Sequence, residues 1–501
     1  MILILSNKKD ITTNEVLNNF KFMQYFKVYA VLLFIFFILP NHSFAHKRAK
    51  YNIVIDTDAG IDDFRALTYF MASKDYNINC ITTVDGIIEP KTAANCINKL
   101  LKTYHHEGIP IGCGGNFNAS KKYTQHAMPY WKSFFSDIEQ REFTNAIELL
   151  NTSIKNNPKY TIIVAMGPLS NIFELLKKYP ENLQKIEMIL WYSDFEGYNY
   201  LQNKDAYNFM TKNHVPLKMI SNKNNISLSS DIFDVCNEIN TVYSINFSKF
   251  FNPQKDVTQH NSTSNYQLTL WDDFLPLYLS FPLMFDEKQS YNHQIEITPK
   301  KDVAYDILIT SILNSEKPDE GVIFNEIPTS GYMLLTDINN FSQKIIEKHG
   351  YSEFKIVAIT SEIHSHLGIY SIIGAKLGLR ILEYLHAGLD EITIISKAGS
   401  SPPLSCLNDG LQVGTGATVG YGTFLSDTAN VASPEVLVIY NNRKITFKIK
   451  QEYTEKINAD VEKIIKSYGL NTELYWLKLR EISLVEYWLN LSRYDIFDVS
   501  G

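Results

Sequence analysis

Along most of the chain, segments in which apolar residues recur as in a strand alternate with segments in which they recur as in a helix. This pattern predicts strands separated by helices. The predicted strands are residues 52–55, 78–83, 160–165 and 186–191, and the predicted helices between them are residues 62–72, 92–104 and 171–178. Such alternation is typical of an α/β domain with an open, mostly parallel sheet flanked by helices. In sheets of this kind, ligands bind beyond the carboxyl ends of the strands.

A second block of pattern begins near residue 340 and predicts an α+β domain. Its predicted elements are a strand at 354–360, a helix at 371–385, a strand at 391–396 and a hairpin of strands 436–440 and 445–449, followed by two Lys/Glu-rich helices. The Asn441-Asn442 pair supplies the hairpin turn. We therefore expect a first domain over residues 46–337 and a second over 338–501, with the two helices closing the chain.

The first 45 residues are expected to be a signal peptide and no part of the fold. The apolar run at residues 28–39 is 12 residues long, whereas a helix needs about 20 residues to cross a bilayer. Lys21 and Lys27 precede the run, and Ser43-Phe44-Ala45 offers small residues at a cleavage site. These features predict export to the periplasm or medium after cleavage behind Ala45. An uncleaved membrane anchor is the alternative.

Length and composition limit the class of protein. The chain has 501 residues, of which 45% are apolar and 20% charged, a profile typical of globular proteins with two or three domains. Its net charge is −7 without a block of like charge, which argues against a nucleic-acid partner bound through a basic surface. The five cysteines are odd in number and include no CxxC spacing, so neither a disulfide scaffold nor a zinc finger is expected.

Four aspartates directly follow the first predicted strand, at positions 56, 58, 62 and 63. Crowded carboxylates repel one another unless a cation lies among them. Calcium prefers six to eight oxygen ligands and accepts carboxylates from a flexible turn. The sequence therefore predicts a cation site at this edge of the sheet. A plainer alternative is that Asp62 caps the helix that follows.

The segment Asp56-Thr57-Asp58-Ala59-Gly60-Ile61-Asp62-Asp63 resembles the signature of the inosine-uridine-preferring nucleoside hydrolases, Asp-Thr-Asp-Pro-Gly-x-Asp-Asp, with Ala59 replacing the proline. Further segments resemble the family's motifs in the same order, at residues 82–86, 165–171, 205–208 and 271–276. The resemblance covers residues 51 to about 335. It implies a nucleoside-hydrolase-like fold for the first domain.

The resemblance also implies site residues and an activity. Asp56, Asp63, Asp272 and the carbonyl of Met166 would hold Ca²⁺, while Asp62, Asn208 and Trp271 would contact substrate. Asp58 would accept a proton from a water on the ion, and the water would attack the anomeric carbon of a nucleoside or related ribosyl compound.

Three positions depart from the family pattern: Ile87 replaces an Asn, Ala206 a Glu and Trp271 a His. The partner expected is a small molecule, with a homo-oligomer left open. Two alternatives remain: an exported binding protein that keeps only the metal frame, and a haloacid-dehalogenase-like phosphatase, whose site also opens with Asp-x-Asp after a strand.

A second set of chemistry-bearing residues lies in the C-terminal block. If the chain is extended there, His364 and His366 point the same way and can share one ion, and Cys406 and Asp409 could complete a zinc site. Residues 340–430 resemble the E-type subunits of formylmethanofuran dehydrogenase. Two cysteines of that family's pattern are Gly368 and Ala417 here. The alternative is that Cys406 is a small buried apolar residue.

Overall fold

The computed structural model describes residues 49–120, 124, 140–252, 268–289, 294–314, 326–428 and 431–501. The expected signal peptide lies outside these residues. Arg48–Gly501 forms one compact unit, and it contains a first region (residues 49–314) and a second region (residues 326–501), each with its own sheet. Among the described helices, none has both the length and the apolar character needed to cross a bilayer.

Nine of the described strands of the first region form one sheet, in the order β10-β11-β7-β6-β5-β1-β2-β3-β4. In chain order the strands of this region are β1 (Tyr51–Thr57), β2 (Tyr76–Thr83), β3 (Ile111–Cys113), β4 (Thr144–Asn145), β5 (Thr161–Ala165), β6 (Ile186–Tyr192), β7 (Leu217–Ile220), β8 (Ser227–Leu228), β9 (Leu268–Thr269), β10 (Phe285–Gln289) and β11 (Ile295–Pro299). Every pair in the large sheet is parallel except β10–β11. The predicted open, mostly parallel sheet is confirmed.

Helices cover the sheet and bury its apolar side chains. They are α1 (Ile61–Ala72), α2 (Pro90–Thr103), α3 (Ala146–Asn156), α4 (Ser170–Lys178), α5 (Tyr198–Gln202), α6 (Lys204–Lys212), α7 (Ile232–Ile239), α8 (Val242–Phe251), α9 (Phe274–Ser280) and α10 (Tyr305–Leu313). The central strand β1 is buried from Asn52 to Thr57, as expected of a parallel strand covered on both faces. Its two faces enter different apolar clusters, Ile53 and Ile55 in one and Val54 in the other.

The second region has a five-stranded sheet in the order β13-β12-β14-β15-β16. Its elements are α11 (Thr336–His349), α12 (Tyr351–His364), α13 (Ile369–Leu385), β12 (Thr393–Ser396), α14 (Leu407–Thr415), β13 (Phe424–Ser426), β14 (Glu435–Tyr440), β15 (Arg443–Ile449), α15 (Gln451–Tyr468), α16 (Glu473–Ile482), a π-helical turn Ser483–Asn490 and β16 (Phe497–Ser500). The hairpin pairs β14 with β15 as predicted. The α+β class of this region is confirmed.

The strand predicted at 354–360 is wrong, because this segment lies inside helix α12. Phe354, Val357 and Thr360 are its buried residues in that stretch, and their spacing of three places them on one helical face. A short apolar run does not by itself separate a buried strand from a buried helix.

The second region contacts the amino-terminal edge of the large sheet. The Tyr440 hydroxyl donates to Asn77 Oδ1 at 2.7 Å, and Asn77 is the second residue of β2. Arg443 donates to the carbonyl of Gly108, just before β3, at 2.8 Å. The carboxyl ends of the strands, where ligands of such sheets bind, are at the opposite edge.

Candidate active site

Asp58 follows the end of β1 and is enclosed by the segment that follows β2. The backbone N–H of Ile87 donates to Asp58 Oδ2 and that of Ile88 to the Asp58 carbonyl, both at 3.1 Å. Gly86 passes so close that a Cβ atom there would lie 2.2 Å from Asp58 Oδ2. Only glycine fits such an approach. The segment after β2 therefore fixes the position of the Asp58 carboxylate.

Three further carboxylates meet at the same edge of the sheet. Asp62, Asp63 and Asp272 each offer an oxygen, and these oxygens lie within 4.8 Å of one another. The hydroxyl of Thr57 donates to Asp63 Oδ1, and the N–H of Gly60 donates to Asp63 Oδ2 at 3.1 Å. Asp63, rather than Asp62, thus caps α1 while also facing the cluster.

A buried ion pair brings Asp272 to this place. Arg65 on α1 donates to both oxygens of Asp273, from Nε at 2.9 Å and from a terminal nitrogen at 2.7 Å. Both side chains are almost fully buried. Such a bidentate pair fixes geometry as well as charge. Sequence reasoning missed this contact, although an arginine between the apolar residues Phe64 and Ala66 and the Asp272-Asp273 doublet were signals for it.

Burial makes the ionised form of these carboxylates costly. Burial raises the pKa of Asp56 to about 7, although hydrogen bonds from Thr82 and Asn171 lower it. Burial also raises the pKa of Asp58 to about 7, and the negative charges of Asp62 and Asp56 contribute to this rise. The pKa values of Asp63 and Asp272 are raised well above their usual range by burial and by neighbouring carboxylates. Asp56 Oδ2, Asp58 Oδ1 and Asp272 Oδ1 are buried without a hydrogen-bond partner.

This donor set fits a hard divalent cation. Buried charges of one sign are stabilised by an opposite charge, and carboxylate and carbonyl oxygens are the ligands that calcium prefers. Asp62, expected to contact substrate, joins the candidate ligands by its position in the cluster. Asp56 presents one oxygen to Thr82 and Asn171, at 2.6 and 2.8 Å, which leaves its other oxygen for the site.

The carbonyl of Met166 has an amide neighbour that sequence reasoning missed. Asn199 on α5 donates to the Met166 carbonyl at 2.7 Å and to the Tyr192 carbonyl at 3.0 Å. Asn208, expected to contact substrate, lies exposed on α6, and its role remains a prediction. The sequence holds Tyr-Asn twice, at 198–199 and at 207–208, and the first copy is the one beside the site.

Two aromatic residues lie next to the carboxylates. Trp271 precedes Asp272 directly and is 44% exposed. Tyr192, at the end of β6, is half-buried, and burial together with the charges of Asp272 and Asp62 raises the pKa of its hydroxyl. A neutral tyrosine and an open indole face can both contact a sugar or a base.

His364 and His366 also come together, but through a helix end and not through an extended chain. His364 is the last residue of α12, Ser365 has φ +63°, and the two imidazole centroids are 4.2 Å apart. His364 Nδ1 lies 2.7 Å from Asp409 Oδ2, and His366 Nδ1 lies 3.2 Å from the His364 carbonyl. His364 Nε2 is buried without a partner.

Gly368 leaves the space in front of both imidazoles open. A Cβ at this position would lie 3.1 Å from His366 Nε2 and 3.4 Å from His364 Nε2. Cys406 is half-buried, and burial raises the pKa of its thiol. In the part of the chain that the structure describes, only Asp62, Asp63 and Asp272 form a group of three or more His, Cys, Asp or Glu spaced for one ion. His364, His366, Cys406 and Asp409 do not meet that spacing.

Two family models match the chain. The first, "Inosine-uridine preferring nucleoside hydrolase", matches residues 53–304, and the second, "FmdE, Molybdenum formylmethanofuran dehydrogenase operon", matches residues 363–497. The pyrimidine-specific ribonucleoside hydrolase RihA of Shewanella sp. (strain MR-4) is 27% identical over 188 residues, 33% of this chain and 57% of that protein. The non-specific ribonucleoside hydrolase RihC of Salmonella typhi is 29% identical over 140 residues, 26% of this chain and 45% of that protein.

Solved structures are similar as well. A plant nucleoside hydrolase, the PpNRh1 enzyme, has a TM-score of 0.43 at 15% identity, over 53% of this chain and 98% of that one. The inosine-uridine preferring nucleoside hydrolase from Bacillus anthracis has a TM-score of 0.42 at 14% identity, over 53% of this chain and 99% of that one. The chain spans about half the length of the curated relatives it matches. Since the first family model covers half of the chain and the aspartates of its motif converge in the fold, the chain belongs to the inosine-uridine preferring nucleoside hydrolase family.

Proposed function

We propose that this protein hydrolyses the N-glycosidic bond of a nucleoside or a related ribosyl compound, with Asp58 as the general base beside a calcium ion. The observation that carries the proposal is the convergence of buried carboxylates with unpartnered oxygens at the carboxyl edge of the sheet. Family membership supports this activity over the phosphatase alternative.

Asp62, Asp63 and Asp272 would hold the ion, and Asp56 Oδ2 and the Met166 carbonyl remain proposed ligands. When bound, the ion supplies positive charge that acidifies a water, orients sugar hydroxyls and keeps the carboxylates ionised. Asn199 holds the Met166 carbonyl in place by its side-chain amide. Trp271 and the neutral Tyr192 hydroxyl are proposed to contact the sugar or the base.

Asp58 is proposed to accept the proton of the attacking water at Oδ1. This oxygen is free, whereas Oδ2 is fixed by the Ile87 N–H. As the water oxygen bonds to the anomeric carbon, the bond to the base nitrogen breaks and positive charge develops on the sugar. The surrounding carboxylates stabilise that charge because they are already in place.

The test is sugar release from a panel of inosine, uridine, adenosine and cytidine with calcium present. Asp58→Asn should abolish release while calcium binding, measured by calorimetry, is largely retained. Asp205→Asn, an exposed carboxylate on α6, is the matched control and should keep full activity. Full activity in Asp58→Asn would refute the assignment of the base. No release from any nucleoside, together with ligand-induced thermal stabilisation, would favour the binding-protein alternative.

We also propose export, with cleavage behind Ala45. The support is the short apolar run after Lys21 and Lys27 with small residues behind it. Amino-terminal sequencing of protein recovered outside the cytoplasm should start at His46. Recovery of an uncleaved chain with the membrane fraction would support the anchor alternative.

A second metal site is proposed at Nε2 of His364 and His366. Each ring is anchored through Nδ1, by Asp409 or by a backbone carbonyl, as metal-binding imidazoles commonly are. Zn²⁺ suits such nitrogens, while Cys406 does not lie close enough to both imidazoles to share one ion with them in this arrangement.

This site can be tested with Co²⁺ as a spectroscopic probe. His364→Ala and His366→Ala should each remove Co²⁺ absorption from the second site. Gly368→Cys should add a thiolate band after the imidazoles shift by a few tenths of an ångström, whereas Gly115→Cys should not. Identical Co²⁺ spectra in the wild type and the histidine variants would refute the site.

A further inference from the structure

We infer that Asp85 is a positioning residue for the proposed hydrolase site, because it fixes residues 117–120 as one wall of the substrate cleft. The inference rests on the proposed function for its kinetic consequence. The claim that Asp85 fixes residues 117–120 can be tested without measuring enzyme activity.

Asp85 lies inside the segment that encloses Asp58. Val84, just before it, donates its N–H to the Thr57 carbonyl at 2.9 Å, and Gly86, just after it, touches Asp58. Asp85 is 1% exposed. The backbone on either side of Asp85 is therefore held against the proposed general base.

The Asp85 side chain holds a different part of the chain. Its Oδ2 accepts the backbone N–H of Phe117 at 2.9 Å and that of Ala119 at 3.0 Å. A buried carboxylate is costly unless it is hydrogen-bonded, and bonds to a charged acceptor are stronger than neutral ones. These two bonds consequently fix the loop after β3 against the edge of β2.

The other end of residues 117–120 is held by α5. The Tyr198 hydroxyl donates to the Ser120 carbonyl, and the Ser120 N–H donates to Gln202 Oε1 at 2.7 Å. The same helix carries Asn199, which holds the Met166 carbonyl. Residues 117–120 are thus fixed at both ends, between the segment around Asp58 and the helix beside Met166.

Phe117 is the residue of this wall proposed to contact the substrate. Its side chain is 37% exposed although its N–H is bonded to a buried carboxylate. An exposed aromatic ring can stack on a heteroaromatic base. Asp85 would set where that ring stands, without itself touching substrate.

The role predicts a loss of binding more than a loss of chemistry. Asp85→Ala removes the acceptor of the Phe117 and Ala119 N–H groups and loosens the wall, while the site carboxylates keep their own hydrogen bonds. We expect KM to rise about tenfold or more with kcat changed by less than about threefold, the pattern for lost binding that is equal in the ground state and the transition state. Asp85→Asn keeps an acceptor oxygen for both N–H groups and should restore most of the affinity.

A double-mutant cycle separates this role from a general structural one. Tyr198→Phe removes the bond at the other end of the same wall, so the KM increase in Asp85→Ala/Tyr198→Phe should be smaller than the product of the single increases. If the two substitutions damaged the structure independently, their KM increases would instead multiply. Calcium affinity should be unchanged in all three variants.

Hydrogen exchange of the peptide covering residues 114–120 tests the wall without any substrate. Exchange should be faster in Asp85→Ala than in the wild type, and nearly normal in Asp85→Asn. If Asp85→Ala does not fold, Tyr198→Phe alone should show the faster exchange. Unchanged exchange in the folded variants, or a wild-type KM in Asp85→Ala, would overturn the inference. A wild-type protein that releases no sugar would instead refute the proposed function and leave the exchange result to decide on Asp85.

Discussion

At the scale of single residues, the first region gathers several mutually repelling carboxylates at one buried site. Asp56, Asp58, Asp63 and Asp272 are all buried, and buried carboxylates that repel one another lower stability unless an opposite charge joins them. Three of their oxygens have no hydrogen-bond partner. A protein retains such an arrangement where a ligand relieves it, which is why these residues carry the functional proposal.

Gly86 offers a residue-scale prediction, since it determines where Asp58 can stand. Gly86→Ala would place a Cβ 2.2 Å from Asp58 Oδ2, so either the carboxylate or the segment after β2 must move. We expect kcat for base release to fall about 100-fold, the cost of misplacing a reacting group by about 1 Å. Gly115→Ala, where the nearest atom would be 3.9 Å away, is the control. Wild-type kcat in Gly86→Ala would show that Asp58 is not the base.

What the sequence predicts at this scale depends on whether the contact is local. Asp58, Asp62 and Asp63 follow one strand, so their proximity could be inferred directly from their spacing. The Arg65–Asp273 pair could not, because it joins residues far apart in sequence. The bond from Asn199 to the Met166 carbonyl could not be inferred either, because it joins two residues 33 positions apart in the chain.

At the scale of elements, the parallel sheet was predictable because its strands are short, β-branched and regularly separated by helices. Helix α12 was not, since its apolar run fits a strand as well as a helical face. The same error made the predicted geometry of the second site wrong. Its two histidines meet because Ser365 reverses the chain after the helix, and not because the chain is extended. The hairpin of β14 and β15 was predicted correctly, because two asparagines tolerate the positive φ that its turn requires, +48° and +61°.

That hairpin turn also carries an element-scale prediction. Asn441 donates to Asn77 Oδ1 at 3.0 Å and to Asn79 Oδ1 at 2.9 Å. Asn441→Gly keeps the left-handed backbone but removes these bonds, so we expect unfolding free energy to fall by about 1–3 kcal/mol. Asn442→Gly, which loses one exposed bond to Asn156, should cost less. Equal urea midpoints for the two variants would mean that the turn does not anchor the second region.

At the scale of the whole molecule, the two regions meet around the buried His106 and the half-buried His386. His106, just after α2, places Nε2 2.7 Å from the Tyr243 hydroxyl and Nδ1 2.6 Å from the Glu383 carbonyl of α13. Its ring centroid is 4.6 Å from that of His386 at the end of α13. Burial lowers the pKa of His106 to about 4 and that of His386 well below its usual value. Both rings are therefore neutral in the folded protein at neutral pH.

This pair predicts an acid-sensitive junction between the regions. The folded-state pKa of His106 lies below the unfolded value of 6.5, so the unfolded chain binds the proton first and stability falls as pH drops from about 6.5 towards 4. We expect the wild type to lose about 2 kcal/mol through His106 between pH 7.5 and pH 5. Over the same pH range, His106→Gln should lose less stability than the wild type, by the amount attributed to His106. The measurement is the unfolding free energy from urea titrations at the two pH values. The site carboxylates, with raised pKa values, act in the opposite direction but equally in both proteins, so their contribution cancels in the difference. An identical pH dependence in His106→Gln would show that this imidazole does not govern the junction.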